Sequence, residues 1–352
     1  MKNNNKPFLF YLGHPAHYHN VSKVIEQLSN KGYEIILVAR KKDVLFDLLR
    51  DLPYKIIYLD ARVGQNKLAL IGTILKREII LFRLVLKYKP RMMVGTDIVI
   101  THIGKLFGIP SFVLNEDDAA EVPFLAKFGF KYSTAVFSPN CCNISPYDHK
   151  KIGYEGYHEL AYLHPDYFKP DKSKVETLFA GEERFFLLRF ASLTAHHDEG
   201  VKGINDELAK QIIAILESKG KIWITSERPL TSDFEKYRIS IPPTEIHHAL
   251  FYADLYIGDS QTMAAEAAVL GTPSLRFNDF VGKLSYLEEL EHKYQLTFGI
   301  KTDQKQVLLE KIEELISQLD LKAKWQERRE VLFNETIDVT QFWVHFFESY
   351  KL

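Results

Sequence analysis

Residues 258–273 read Gly-Asp-Ser-Gln-Thr-Met-Ala-Ala-Glu-Ala-Ala-Val-Leu-Gly-Thr-Pro. The apolar runs Leu255–Ile257 and Ser274-Leu275 on either side predict a strand ending at Gly258-Asp259 and a helix over Ser260–Leu270. Gly271 and Pro273 then close the helix. A helix start offers unpaired N–H groups and a positive dipole end, and both attract phosphate. Asp259, Ser260, Gln261 and Thr262 stand at that start. Glu266, on the second turn, can accept hydrogen bonds from a ribose diol while a diphosphate rests on the helix start. That chemistry suits a nucleotide-diphosphate sugar. The same residues also read as an N-cap at Ser260 and a solvated helix residue at Glu266.

Other chemistry-bearing residues also fall after apolar runs. Gly13-His14-Pro15-Ala16-His17-Tyr18-His19-Asn20 follows the run Phe8–Leu12. A histidine titrates near operating pH, so His14 or His17 can take a proton from an acceptor hydroxyl. No carboxylate or cysteine nearby completes a zinc set. Asp97 follows Arg91–Val94, and Asn115-Glu116-Asp117-Asp118 follows Ser111–Leu114. Crowded carboxyl groups raise one another's pKa and can supply an acid and a base, with Asp97 and Glu116 as the candidates. An N-cap at Asp97 and a solvated acidic loop are the plain alternative. Arg189 ends the run Phe185–Arg189 and can neutralise a diphosphate leaving group. His196, with His197 and Asp198, can help position the donor. Ser226, in Ser226-Glu227-Arg228, is similarly placed after Lys221–Thr225.

These positions need strands to end where they begin. Strands are predicted at Phe8–Leu12, Glu34–Ala39, Lys55–Leu59, Arg91–Val94, Ser111–Leu114 and Ala135–Ser138. Helices are predicted over Asn20–Lys31, Lys41–Asp51, Lys67–Tyr88 and Val99–Phe107. A second series has strands at Phe185–Arg189, Lys221–Thr225, Leu255–Ile257 and Thr272–Leu275. Its helices are Asn205–Ser218, Thr244–Tyr252, Ser260–Leu270 and Lys305–Leu319. The strands are apolar without alternation, as in a parallel sheet covered on both faces. The expectation is α/β, two Rossmann-like domains facing across a cleft, with ligands at the carboxyl ends of the strands. The domains are drawn at 1–160 (acceptor side) and 161–330 (nucleotide-sugar side), with 331–352 a helix packing back on the first. Gly153–Lys172, with Pro165 and Pro170 and no clean period, reads as the connection.

The 352 residues are 46% hydrophobic and 26% charged, enough for two ordinary cores. A net charge of -1 gives no basic field for nucleic acid. Cys141 and Cys142 are adjacent, so neither an unstrained bridge nor a metal set is expected, and a reducing cytoplasm is the natural setting. Pro7–Leu12 is too short for a signal peptide, and no apolar stretch reaches the roughly 18 residues of a spanning helix. In 68–89, Lys76, Arg77, Arg83 and Lys87 interleave with Ile, Leu and Phe. With Phe124–Phe128 this reads as a packed amphipathic helix or as a patch for peripheral membrane contact.

The run Gly258–Pro273 resembles the nucleotide-sugar motif of GT-B-fold proteins, above all the non-hydrolysing UDP-N-acetylglucosamine 2-epimerases, where Asp-Ser is also followed six residues later by Glu. Gly13–His19, Gly156–Pro165 and Leu284–Leu296 resemble a GT-B-like family found in archaea and in bacterial surface-polysaccharide loci. The epimerase resemblance implies diphosphate and ribose contacts at Ser260 and Glu266, and relates Glu116 and Asp97 to the glutamate and aspartate of its motifs. Gln261-Thr262 replaces that family's glycine pair, and its His-Arg-Arg-Glu-Asn segment is absent. The His-rich first loop instead resembles the histidine position of MurG-like inverting transferases. The expectation is a metal-independent glycosyltransferase needing no cofactor. It would move a sugar from a nucleotide-diphosphate donor, UDP-linked, to a saccharide or lipid-linked acceptor. Domain closure would exclude water. A sugar-nucleotide 2-epimerase and a non-catalytic nucleotide-sugar binder are the rivals.

Overall fold

The computed structural model describes residues 6–41, 43–60, 67–191 and 203–351. They form two units: 1–164 with 337–352, and 165–336.

In the first unit every residue of β1 (Phe8–Leu12) is buried, as an unbroken apolar run requires. It is followed by β2 (Ile35–Arg40), β3 (Lys55–Leu59), β4 (Met92–Gly95), β5 (Ser111–Leu114), β6 (Ala135–Pro139) and β7 (Lys151–Tyr154). All pair in parallel, in the order β3-β2-β1-β4-β5-β6-β7. The order reverses between β1 and β4, so their carboxyl ends flank the crevice where such sheets bind ligands. Gly95 permits that closeness, since a Cβ there would lie 2.5 Å from the Tyr11 carbonyl oxygen.

The crossovers include α1 (Pro15–Asn30), α2 (Asp43–Leu49), α3 (Lys67–Tyr88) and α4 (Ile98–Phe107). Helix α1 begins five residues before the expected Asn20. Pro15 sits in its first turn, where a missing N–H costs nothing, so the His-rich segment is a helix start rather than a loop. The expected connection Gly153–Lys172 is also revised. Its first part completes β7, and 157–163 are buried in the first unit. Helix Val339–Ser349 closes this unit, with Trp343 and Phe347 buried against Phe137. Each such ring stabilises by about 1.5–3 kcal/mol.

The second unit holds β8 (Phe185–Phe190), β9 (Lys221–Ser226), β10 (Leu255–Gly258), β11 (Ser274–Phe277) and β12 (Thr297–Ile300), parallel in the order β12-β11-β10-β8-β9. Its reversal lies between β8 and β10, with Arg189 beside Gly258 in register. Neither β7 nor β12 was expected. The four-residue runs Lys-Ile-Gly-Tyr and Thr-Phe-Gly-Ile each carry a glycine, which weakens a strand signal. The segment 331–352, expected as one helix, is divided: its start belongs to Leu321–Glu335 in this unit, and Val339–Ser349 lies in the other. Among the described residues no helix is long and apolar enough to cross a membrane.

Candidate functional site

At the first reversal point His14 is the N-cap of α1, with Nδ1 accepting the Ala16 N–H at 3.3 Å. His17 Nδ1 accepts the Gly13 N–H at 3.2 Å. A neutral ring that accepts at Nδ1 carries its proton on Nε2. Both histidines are therefore set to donate from Nε2, and a base role asks each ring to give up its backbone bond. Beside them a charged cluster collects that the sequence did not signal as a unit. Asp97 caps α4 through the Val99 N–H at 3.0 Å and pairs with Arg40 from the end of β2. Arg77 from α3 is buried beside Tyr11. Two guanidinium groups face one carboxylate here. Burial and the neighbouring Arg40 pull the Arg77 pKa below its ordinary value. The Tyr11 hydroxyl, buried and next to Asp97, is pushed up to about 12.

Glu116, after β5, sits in a second cluster. Its Oε2 accepts the His158 N–H at 3.3 Å and lies 3.5 Å from that ring's Nδ1. Asn20 of α1 meets the same nitrogen at 3.2 Å. Burial lowers the His158 pKa to about 3, so the ring is neutral and the contact is not an ion pair. Burial, Glu159 and Asp117 raise the Glu116 carboxyl well above its ordinary range. The structure thus joins two segments noticed separately, Asn115–Asp118 and Gly156–Pro165. Asp118 accepts the Asn143 N–H at 2.7 Å, and Cys141 and Cys142 are both free thiols.

In the second unit, Ser260 is the N-cap of helix Gln261–Val269, accepting from Met263 N at 3.4 Å. Among the described residues, the Gln261 and Thr262 amides at the first two positions have no acceptor. Arg189 reaches Thr225 Oγ1 at 2.9 Å and pairs with Glu227. Gly258 lets the chain pass, since a Cβ there would meet Arg189 Cβ at 2.8 Å.

Two expected donor contacts are occupied otherwise. Asp259 is 1% exposed and accepts Ala191 N at 2.6 Å and Ile204 N at 3.2 Å. It ties together the two ends of the segment after β8. Burial raises its pKa to about 6 despite these bonds. Ser226 is bonded within its own turn, to the Arg228 carbonyl at 2.6 Å and the Arg228 amide at 3.2 Å. Both side chains are thus engaged by backbone groups of their own unit. His196, with His197 and Asp198, lies outside the described residues.

Glu266 is buried, and its Oε1 lies 3.0 Å from Nε2 of His247. The two residues lie on separate helices, and helix periodicity alone does not pair residues on two helices. Arg276 was also missed. It is fully buried, 3.1 Å from Glu288 and 3.7 Å from Glu291, and this explains two acids of the Leu284–Leu296 segment as structural.

Residues 10–322 match the family model described as "Protein of unknown function (DUF354)". The chain belongs to that family. No curated protein matches it in sequence. Members of other groups share the fold. A putative UDP-N-acetylglucosamine 2-epimerase from Listeria monocytogenes is 14% identical with a TM-score of 0.68, over 99% of this chain and 98% of that one. The UDP-N-acetylglucosamine 2-epimerase from Neisseria meningitidis bound to UDP-GlcNAc is 14% identical with a TM-score of 0.65, over 98% and 100%. MurG of Acinetobacter baumannii is 13% identical with a TM-score of 0.60, over 98% and 100%. The DUF354 chain carries the two Rossmann-like α/β units of the GT-B fold.

Proposed function

We propose that the protein is a metal-independent glycosyltransferase using a nucleotide-diphosphate sugar, UDP-linked, in surface-polysaccharide or glycoconjugate synthesis. The observation that carries this reading is the start of helix Gln261–Val269 at the second reversal point, with two amides that have no acceptor among the described residues and Arg189 at the end of the neighbouring strand. That is a site for a diphosphate, and it stabilises charge as the phosphate leaves. Glu266, held by His247, is the ribose contact in this reading. The similarity to an epimerase bound to UDP-GlcNAc supports the choice of donor class.

In the first unit Glu116 is the proposed proton acceptor. Its raised pKa makes the ionised carboxylate a stronger base. The acceptor oxygen attacks the anomeric carbon, its proton passes to Glu116, and the bond to the diphosphate breaks with its electron pair going to the phosphate. His14 and His17, as Nε2 donors, orient the acceptor or the sugar. The half-buried Glu116 carboxyl, with its raised pKa, also suits a 2-epimerase, which moves a proton without any acceptor.

The test is calorimetric titration of wild type and Arg189→Ala with UDP, GDP, dTDP and CDP, followed by incubation with UDP-sugars. Binding of one diphosphate, weakened in the variant, supports the donor site. No binding of any nucleotide sinks the proposal. Release of nucleotide diphosphate only with acceptor marks a transferase, and a C2 epimer from donor alone marks an epimerase.

A further inference from the structure

Helix α3 faces outward with large apolar side chains. Ile71, Leu75, Ile79, Phe82 and Leu86 are 54%, 53%, 54%, 39% and 53% exposed. Their spacing of three and four residues places all five on one stripe. The stripe continues onto its neighbours. Phe82 packs on Phe107 of α4 at 5.1 Å, next to exposed Leu106. His102 of α4 bonds Glu78 of α3 at 2.6 Å and the Phe128 carbonyl at 2.8 Å, and Phe124 and Phe128 are themselves exposed. A continuous apolar face of this kind on one unit marks an interaction surface.

Its charges identify the partner. Over 69–88, 98–107 and 123–132 the chain carries one acid, Glu78, and His102 holds it. Arg83, Lys87, Lys105, Lys127 and Lys131 are exposed around the stripe, and Lys76 is paired with Asp60. A second copy of the chain seated by two-fold symmetry would set these cations against themselves. An anionic lipid surface meets both features at once: acyl chains take the stripe and headgroups take the cations. We infer that this face of the first unit docks on the surface of an anionic membrane, with α3 lying in the interface.

The test is co-sedimentation of the full chain with vesicles of phosphatidylcholine alone and of phosphatidylcholine with phosphatidylglycerol. Binding is expected only to the second, and it weakens with salt. The double variant Ile79→Glu/Leu86→Glu should lose it with an unchanged melting temperature, because both side chains are exposed. The triple variant Arg83→Gln/Lys87→Gln/Lys127→Gln, which leaves the stripe intact, should weaken it about tenfold. No binding to either vesicle overturns the inference. So does a dimer in sedimentation velocity that Ile79→Glu/Leu86→Glu dissociates while vesicle binding is absent, since the face would then belong to a second copy.

Discussion

His247 Nε2 and Glu266 Oε1, nineteen residues apart in sequence, meet at 3.0 Å with side chains only 8% and 5% exposed. His247→Ala takes one hydrogen bond from a buried carboxylate and should destabilise the protein by about 1–3 kcal/mol. Glu266→Gln keeps an acceptor for His247 and should melt close to wild type. If ribose reads the carboxylate, Glu266→Gln lowers nucleotide affinity about tenfold, the effect of one lost hydrogen bond. Unchanged affinity in calorimetry would reduce the pair to a structural role.

Glu116 gives a pH signature. Its folded pKa lies above its unfolded value because of burial, Glu159 and Asp117. Above about pH 4.5 the unfolded chain releases this proton while the folded chain keeps it. The folded state then binds more protons, and stability falls as pH rises through that window. Glu116→Gln removes this loss, so its melting temperature should gain on wild type with rising pH. Its turnover should drop at least a hundredfold if Glu116 moves the proton. A pH-independent difference in melting temperature would contradict the raised pKa of Glu116.

Glu227 covers the Arg189 guanidinium. A diphosphate that binds Arg189 competes with that carboxylate. Glu227→Gln should therefore tighten nucleotide-diphosphate binding, and Arg189→Ala should weaken it by about tenfold or more, the range of one charged hydrogen bond. Equal affinities in the two variants would place the diphosphate elsewhere.

Asp97 holds Arg40 and the Val99 amide in the first turn of α4. Asp97→Asn keeps the cap but leaves the cations Arg40 and Arg77 without a neutralising charge. A loss of about 2 kcal/mol is expected by denaturant unfolding, the scale of a charged hydrogen bond. Full stability in the variant would mean that the pair contributes nothing.

Much of the frame was legible. The unalternated apolar runs at Phe8–Leu12 and Phe185–Arg189 reported strands buried on both faces, and the Ser260 N-cap with Gly271 marked a helix to within a residue. Helix α1 starts at Pro15 rather than at the expected Asn20, since proline is tolerated at a helix start. Arg40 carried a signal that went unused, since it ends a strand.

The sequence by itself determined the α/β class, the alternation of strands and helices, and the strand ends where polar residues gather. These depend on local periodicity and local hydrogen bonding, which neighbours along the chain decide. The tertiary structure alone decided which of those groups are already engaged. Asp259 spends both oxygens on amides 68 and 55 residues away, and Glu116 owes its raised pKa to burial beside Glu159. Partners and desolvation are fixed by packing between distant segments, and no spacing along the chain encodes them.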